Sequence, residues 1–352
     1  MSQILAMKKY PVLILLMIQW TLFGQYTDML NSNRPGGSQG AFAVGTGVLQ
    51  IESGMTFGSE AHSLRYTETG IFNWDYTLRY GFWKESLEFS LTGDFQRNAI
   101  SYTQGALPSE TRANFKNNVI GAKYLVYDPY IKQEADGPNL YSWRQNNRFQ
   151  WRDFIPAVAI FAGANFDFSD NPLLPYSEST ISPRVMIATQ NNWIGGFVFV
   201  TNIYADRFTT DFPTYGYTLT LTHATNEYFS IFVENQGFKS DFYADQIFRG
   251  GVAVLINKDW QIDGSVSLNA KDTPSLFYTR LGMSYRIDRH KKDEYIEEKG
   301  RDARRSKKEE KNQIKRAEKK QKKKRRKMKK QKKKSVFFDD SEFTFIPVMS
   351  HD

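Results

Sequence analysis

Histidines are the first residues to consider for chemistry in this sequence, and none of the four has the neighbours that a catalytic site needs. His62 and His223 fall at or beside connections between predicted strands, whereas His290 and His351 fall near the C-terminus. No serine on a sharp turn accompanies His223, although an acyl-transfer triad requires one. The chain has no Cys, which excludes a thiol nucleophile, a disulfide framework and a Cys-ligated zinc site. The sequence therefore predicts no catalytic residue, no metal ligand, no cofactor and no enzyme activity.

A second set of candidate residues is charged and lies in segments where apolar and polar residues alternate. Side chains point to opposite faces of a strand in turn, so each such segment has one apolar face and one polar face. Charges on the polar face suit the interior of a membrane barrel, where they set an ion preference or pair across a filled interior. The predicted lumen-lining residues are Glu52, Asp75, Arg79, Glu88, Asp94, Asp263, Arg280 and Arg286.

Twelve alternating segments are predicted to position these charges. Many are about ten residues or longer, the length that crosses a bilayer at a tilt, and aromatic residues gather near their ends. This pattern predicts an all-β fold, an antiparallel transmembrane β-barrel of about 12 strands, with a soluble secreted β-protein as the alternative. The predicted strands are Val48–Gly58, Thr67–Tyr80, Glu85–Arg97, Lys116–Tyr127, Phe154–Phe166, Ser182–Gln190, Trp193–Ala205, Tyr215–Thr222, Tyr228–Gln236, Ile247–Ile256, Trp260–Leu268 and Phe277–Ile287.

One connection departs from the pattern of short inner turns and longer outer loops. Asp128–Asp153 should be a short turn, yet it is the longest connection in the chain. Either it is a periplasmic insertion or the strand count is wrong by one hairpin at this point. Phe154–Phe166 and Trp193–Ala205 are apolar on both faces, so the pattern does not assign their inward side.

The two ends of the chain differ from the barrel in composition. A basic start and an apolar run that is too short to span a bilayer predict a cleaved secretory signal peptide over residues 1–24. Residues 25–47 are then an N-terminal periplasmic or lumen segment, and residues 48–288 form the barrel. A Lys/Arg-rich tail over residues 289–334 is expected to be disordered or helical. An apolar C-terminal segment over residues 335–352 ends the chain.

The basic tail dominates the formal net charge of +9. Residues 289–334 contain 25 Lys and Arg and 8 Asp and Glu, so the rest of the chain is acidic. An even number of strands places both termini in the periplasm of a Gram-negative cell. The reachable anions there are peptidoglycan and anionic lipid rather than nucleic acid. The residues predicted to contact such an anionic surface are Lys322, Lys323, Lys324, Arg325, Arg326 and Lys327.

Short motifs in a fixed order give a resemblance to a known family. They include Asn33-Arg34-Pro35-Gly36, Leu78-Arg79-Tyr80-Gly81-Phe82, Ile120-Gly121-Ala122-Lys123-Tyr124, Ser182-Pro183-Arg184 and the closing Leu281–Ile287. Over about Asn33 to Asp288 the chain resembles the family named after the MetA pathway of phenol degradation. The resemblance implies an outer-membrane barrel and a channel role, without a catalytic motif or a substrate to transfer. The Asp128–Asp153 segment and the basic tail depart from the family pattern.

Three functions remain open on the sequence, and the least favoured is an outer-membrane lipid-modifying enzyme. The first is an outer-membrane channel or transporter for small solutes, including hydrophobic or aromatic ones, with lipid around it. The second is a plugged structural or assembly barrel, tethered to the cell wall or to the inner leaflet by its basic tail. Twelve strands lie between small filled barrels and open porins, so the strand count does not decide between them.

Overall fold

The computed structural model describes residues 29–105, 107–131, 151–168, 171–174, 180–241 and 243–290, together with residue 322. Twelve β-strands form one closed antiparallel barrel, in which each strand pairs with its neighbours in sequence and β1 pairs with β12. The predicted all-β fold with twelve strands is confirmed. The strands are β1 (Val48–His62), β2 (Thr67–Gly81), β3 (Leu87–Tyr102), β4 (Glu110–Tyr127), β5 (Ala157–Phe166), β6 (Ile181–Trp193), β7 (Phe197–Asp206), β8 (Thr214–Ala224), β9 (Phe229–Ser240), β10 (Ala244–Asn257), β11 (Trp260–Asn269) and β12 (Ser275–Asp288).

The alternation in sequence becomes an apolar outer surface and a largely polar interior. On β1, Gln50 and Glu52 are 1% and 2% exposed, whereas Met55 and Phe57, on the other face, are 50% and 52% exposed. Exposed aliphatic or aromatic side chains recur on the outer face of every strand. A soluble protein does not keep so large an apolar surface in water. A bilayer covers such a surface, so this is the architecture of a transmembrane barrel.

Two ends of the barrel are distinguished by their connections. At the end that we call the turn end, β1 begins and β12 ends, with Val48 opposite Asp288. Short 3-10 helices lie at Ser63–Arg65, at the opposite or loop end, and at Trp151–Phe154, beside the turn end. Among the described residues, no helix is long and apolar enough to cross a membrane.

Several strands extend beyond the predicted ranges. β3 continues to Tyr102 and β4 begins at Glu110, so part of the predicted loop Asn98–Phe115 is in strands. The predicted turn at Asn191–Asn192 is wrong by several residues, because β6 continues to Trp193. The chain turns at Ile194–Gly196, where Gly195 and Gly196 have φ angles of 87° and 77°. Glycine adopts these positive φ angles without steric cost.

The strands β4 and β5 pair directly, so no further barrel strand lies between them and the count of twelve stands for the described residues. The described ends of the long segment between β4 and β5 lie against β6. The backbone N–H of Asn192 donates to the Tyr130 hydroxyl, and the side chains of Asn191 and Trp193 donate to the carbonyl of Asp153. The doubtful facing of the fifth predicted strand is also settled, because Ala157, Ala159 and Phe161 are buried on one face of β5. The predicted signal peptide and apolar C-terminal segment lie outside the described residues.

Candidate functional site

Residues 29–47, which we call the plug, occupy the barrel interior at the turn end. The plug starts beside the β10–β11 turn, where Leu30 N–H donates to the carbonyl of Lys258 over 2.9 Å. It crosses the interior and leads into β1 through Gly47, whose N–H donates to the carbonyl of Gly81. Plug backbone groups have no strand ladder to satisfy them, so inward-facing side chains of the barrel do so instead. These side chains come from β1 to β4 and from β6, β7, β9, β11 and β12.

A buried ionic network anchors one side of the plug. The Arg79 guanidinium makes two 2.8 Å bonds to Glu88 and one of 3.3 Å to Glu52. Its Nη1 also donates to the plug carbonyl of Asn31 over 2.6 Å. Lys123 completes the network, because its Nζ lies 3.4 Å from Glu88. The mutual compensation of these charges allows all of them to be buried without leaving one unpaired.

Lys123 also holds the middle of the plug directly. Its ammonium donates to the carbonyl of Gly40 over 2.9 Å and to that of Phe42 over 3.0 Å. The side chains of Gln190 and Asn202 bind the same part of the plug. The N–H of Ala41 donates to Gln190, and Asn202 exchanges two hydrogen bonds with the backbone of Gln39. Charge-assisted hydrogen bonds are the stronger ones, so Lys123 is the principal anchor of residues 40–42.

A second ionic group surrounds Arg34 beside the first network, since its member Asp75 lies on β2, as Arg79 does. The guanidinium bonds both oxygens of Asp263, at 3.1 and 3.2 Å, and forms an ion pair with Asp75. Arg280 shares Asp75 at 3.0 Å and donates to the plug carbonyl of Gly36 over 3.4 Å. Arg34 therefore ties the plug to β2 and β11, and Arg280 adds a hydrogen bond from β12.

Glu234 on β9 forms a third anchor. Its carboxylate accepts the N–H of Gly37 at 3.0 and 2.9 Å and the hydroxyl of Thr220 at 2.7 Å, and it forms an ion pair with Arg249. A Cβ at Gly36 would lie 2.5 Å from a Glu234 oxygen. The Gly36-Gly37 pair is thus explained by the close approach of this carboxylate to the plug backbone.

One part of the interior wall is apolar. Inward-facing residues of β4, β5 and β6 form a hydrophobic cluster with Ala41 of the plug, and Phe42 and Tyr130 pack against it. The barrel residues of this apolar wall are Val119, Leu125, Ala157, Ala159, Phe161, Met186 and Ala188. Its partner from the plug, Ala41, is fully buried. The interior therefore combines a charged side with an apolar side, and the plug contacts both.

The predicted lumen-lining charges separate into two groups in the structure. Six of them bond to the plug directly or pair with a residue that does, and these are Glu52, Asp75, Arg79, Glu88, Asp263 and Arg280. Asp94 lies opposite Asp75 on the neighbouring strand and accepts hydrogen bonds from Asn73 and Asn117. Arg286 is buried near the turn end and lies 3.3 Å from Asp288.

Sequence reasoning missed several residues that bind the plug or pair with a residue that does. Lys123, Gln190, Asn202, Glu234 and Arg249 were not among the predicted lumen residues. Glu234 carries a usable signal, since it lies between the exposed Val233 and the outward-facing Asn235 within an alternating segment. The role of Arg34 carries none, because it precedes the first strand and has no facing that a period of two would reveal.

Each histidine within the described residues contacts a neighbouring residue. His62 accepts the N–H of Arg65 at a 3-10 helix, and the ring of His223 stacks on Phe197 at 4.2 Å. His290 lies beside the last plug residues, with its Nδ1 2.9 Å from the carbonyl of Thr46. Within the described part of the chain, no group of three or more His, Asp or Glu side chains is placed to hold a metal ion. His351 and the predicted anionic-surface residues 323–327 lie outside the described residues, and Lys322 is exposed.

A closed barrel with an apolar exterior and an interior segment bonded to charged wall residues defines a transmembrane β-barrel with an internal plug segment. The profile of the family described as "Putative MetA-pathway of phenol degradation" matches residues 32–287, and the chain belongs to this family. The resemblance inferred from the sequence motifs is thereby confirmed. The matched range begins inside the plug and ends in β12.

Solved structures with a similar fold are outer-membrane barrels of low sequence identity. The COG4313 outer membrane channel from Pseudomonas putida F1 is 10% identical, with a TM-score of 0.49 and coverage of 73% of this chain and 100% of that one. The NanC porin is 10% identical, with a TM-score of 0.43 and coverage of 67% and 100%. The CymD monoaromatic hydrocarbon channel is 7% identical, with a TM-score of 0.37 and coverage of 70% and 90%. No curated protein matches the chain.

Proposed function

We propose that this protein is an outer-membrane channel for small hydrophobic or aromatic solutes, and that the plug must move aside for a solute to pass. The observation that carries the proposal is the apolar wall on β4, β5 and β6, which the plug residues Ala41 and Phe42 cover. An apolar surface inside a barrel suits a solute that has few hydrogen bonds to offer. The family description refers to phenol degradation, which fits a small aromatic solute.

The experiment compares one charge placed on two sides of the lumen. Ala159→Lys introduces a cation into the apolar wall, whereas Asn73→Lys introduces the same cation beside Asp94 on the polar side. Uptake of a radiolabelled small aromatic compound is measured in a porin-deficient Gram-negative host. We expect Ala159→Lys to lower the uptake rate about tenfold, since an unpaired charge disfavours an apolar solute there.

Under this proposal the matched variant Asn73→Lys retains uptake within about twofold. Equal losses in the two variants would contradict the role of the apolar wall. The heat-dependent gel mobility of each purified variant shows whether the barrel has folded, and Ala188→Lys repeats the test on β6 if Ala159→Lys does not fold.

We also propose an orientation of the barrel in the outer membrane. The even number of strands brings Val48 and Asp288 to one end, and the connections at that end are mostly short. Outer-membrane barrels have short turns on the periplasmic side, so we place both termini in the periplasm. An epitope tag at the C-terminus should then resist protease in intact cells and become cleavable after the outer membrane is permeabilised.

The second candidate is a closed structural barrel whose basic tail binds the cell wall or anionic lipid. The ionic anchors of the plug favour it, because a network this extensive can hold the lumen shut permanently. Planar-bilayer recordings distinguish the two candidates. A channel shows openings that become more frequent when the plug anchors are removed, and a structural barrel shows none in either form. For the lipid-modifying alternative, we expect no hydrolysis by the wild type or by His223→Ala, since His223 stacks on Phe197 at the barrel surface.

A further inference from the structure

The barrel wall has a fitted site for the guanidinium group of Arg34. Gly54 of β1 and Gly282 of β12 are paired directly across the strands, and the guanidinium lies against both. A Cβ at either glycine would overlap its nitrogen atoms. Two facing positions without side chains therefore make a flat surface that fits a planar group.

The carboxylates around this surface match the same group. Asp263 presents both oxygens to Nε and Nη2 of Arg34, at 3.1 and 3.2 Å, and Asp75 pairs with Nη1. The side chain of Asp263 is fully buried. Such two-point pairing with a carboxylate is specific to a planar guanidinium, because an ammonium is a compact point charge. We call Gly54, Gly282, Asp75 and Asp263 the guanidinium seat.

The seat has an unbalanced charge once Arg34 is taken out of it. Asp75 and Asp263 together carry two negative charges, and among the described residues the one other cation bonded to them is Arg280, which pairs with Asp75 at 3.0 Å. Without Arg34 the group thus has a net charge of about −1 at neutral pH. A buried net charge attracts a compensating ion of opposite sign.

We propose that the guanidinium seat is a ligand-binding site, which Arg34 fills when the plug is closed and which a solute bearing a guanidinium group can fill in its place. This inference rests on the proposed function, because a solute that takes the place of Arg34 is a signal that displaces the plug. Arg34 belongs to the same chain, so it competes at an effective concentration in the millimolar range. Free guanidinium must therefore reach a millimolar concentration to displace Arg34 from the seat. A barrel without Arg34 has no such competitor and binds guanidinium at a lower concentration.

The direct test uses full-length Arg34→Ala in detergent. Guanidinium chloride is added up to about 50 mM, far below the molar concentrations that unfold proteins, and tetramethylammonium chloride serves as the control at equal ionic strength. The thermal unfolding of the barrel is followed by its heat-dependent gel mobility. We expect guanidinium, but not tetramethylammonium, to raise the unfolding temperature, because a ligand that binds the folded state stabilises it.

Two variants locate the effect at the seat. Arg34→Ala combined with Asp263→Asn removes the two-point partner, and Arg34→Ala combined with Gly282→Val fills the flat surface. Each should need about tenfold more guanidinium for the same shift. An equal response in Arg34→Ala and in Arg34→Ala/Asp263→Asn, or no response of Arg34→Ala, would overturn the proposal. The Asp263 variant keeps the test decisive if the valine variant does not fold.

The same ligand is then tested on the closed wild-type barrel. In a background with Ala41→Cys, guanidinium should speed the reaction of the buried thiol with maleimide, and Arg34→Ala should react fast without it. Arg112→Ala, which removes an exposed ion pair with Glu110, should respond as the wild type does. Absence of aromatic uptake together with guanidinium binding by Arg34→Ala would reject the proposed solute and retain the seat. Aromatic uptake without guanidinium binding by Arg34→Ala would retain the proposed solute and reject the guanidinium seat.

Discussion

Replacement of Lys123 by Met is the sharpest test of how the plug is held. Met keeps the length and the apolar part of the side chain but removes the ammonium, and the two hydrogen bonds to the carbonyls of Gly40 and Phe42 are lost with it. Glu88 still has its two 2.8 Å bonds to Arg79, so the substitution does not leave that carboxylate unpaired. The change therefore weakens the plug more than the barrel.

The magnitude follows from these two bonds. A hydrogen bond to a charged group contributes about 1.5–3 kcal/mol net, and the lower value for each bond gives about 3 kcal/mol for the pair. Each 1.4 kcal/mol corresponds to a factor of about ten. The ratio of open to closed plug should thus rise roughly a hundredfold in Lys123→Met.

A single introduced thiol measures this ratio, because the chain has no Cys of its own. Ala41 is fully buried against the apolar wall, so Ala41→Cys reacts with maleimide only when the plug moves. If opening and closing are fast, the labelling rate is proportional to the open fraction. Lys123→Met should raise that rate roughly a hundredfold.

The matched control is Lys116→Met on the same strand. Lys116 bonds to Gln96 at 3.0 Å, towards the loop end, so its loss should change the labelling rate by less than about twofold. A labelling rate in Lys123→Met that stays within twofold of the parent would refute the reasoning, since Lys123 would then not be an anchor of the plug.

Three further changes test other parts of the structure. Gly81→Ala should displace the plug and raise Ala41→Cys labelling, because its Cβ would overlap the backbone carbonyl of Gly45, and it should lower stability by about 1–3 kcal/mol. Arg79→Met should cost about 3–5 kcal/mol in urea unfolding from lipid vesicles, since it leaves buried carboxylates without their main partner. Wild-type stability in either variant would contradict the packing described above. Deletion of residues 291–352 should leave the thermal stability of the barrel unchanged but abolish its retention on isolated peptidoglycan. The retention is measured at low salt, because ions screen electrostatic binding. Retention of the truncated chain would exclude the tail as the tether.

The fold was predictable because a barrel repeats one local rule. Each strand in a bilayer must turn apolar side chains outward, so the period of two, the strand length and the aromatic ends are all present in the sequence. The rule fails where both faces are apolar, as in β5, because one of its faces packs on an interior apolar cluster rather than on water. It also misplaced the β6–β7 turn, where Gly195-Gly196 was a better signal than the preceding asparagines.

The sequence by itself determined the all-β class and the twelve-stranded barrel, and it put eight charged residues on predicted inward faces. Only the tertiary structure decided what those charges do. Glu52, Arg79, Glu88 and Asp263 bond to a segment that precedes the first strand, and the plug has no periodicity of its own. Its path is fixed by side chains from strands far apart in the chain, which closure of the barrel brings around one lumen. Pairings of this kind depend on closure, and a local pattern does not contain them.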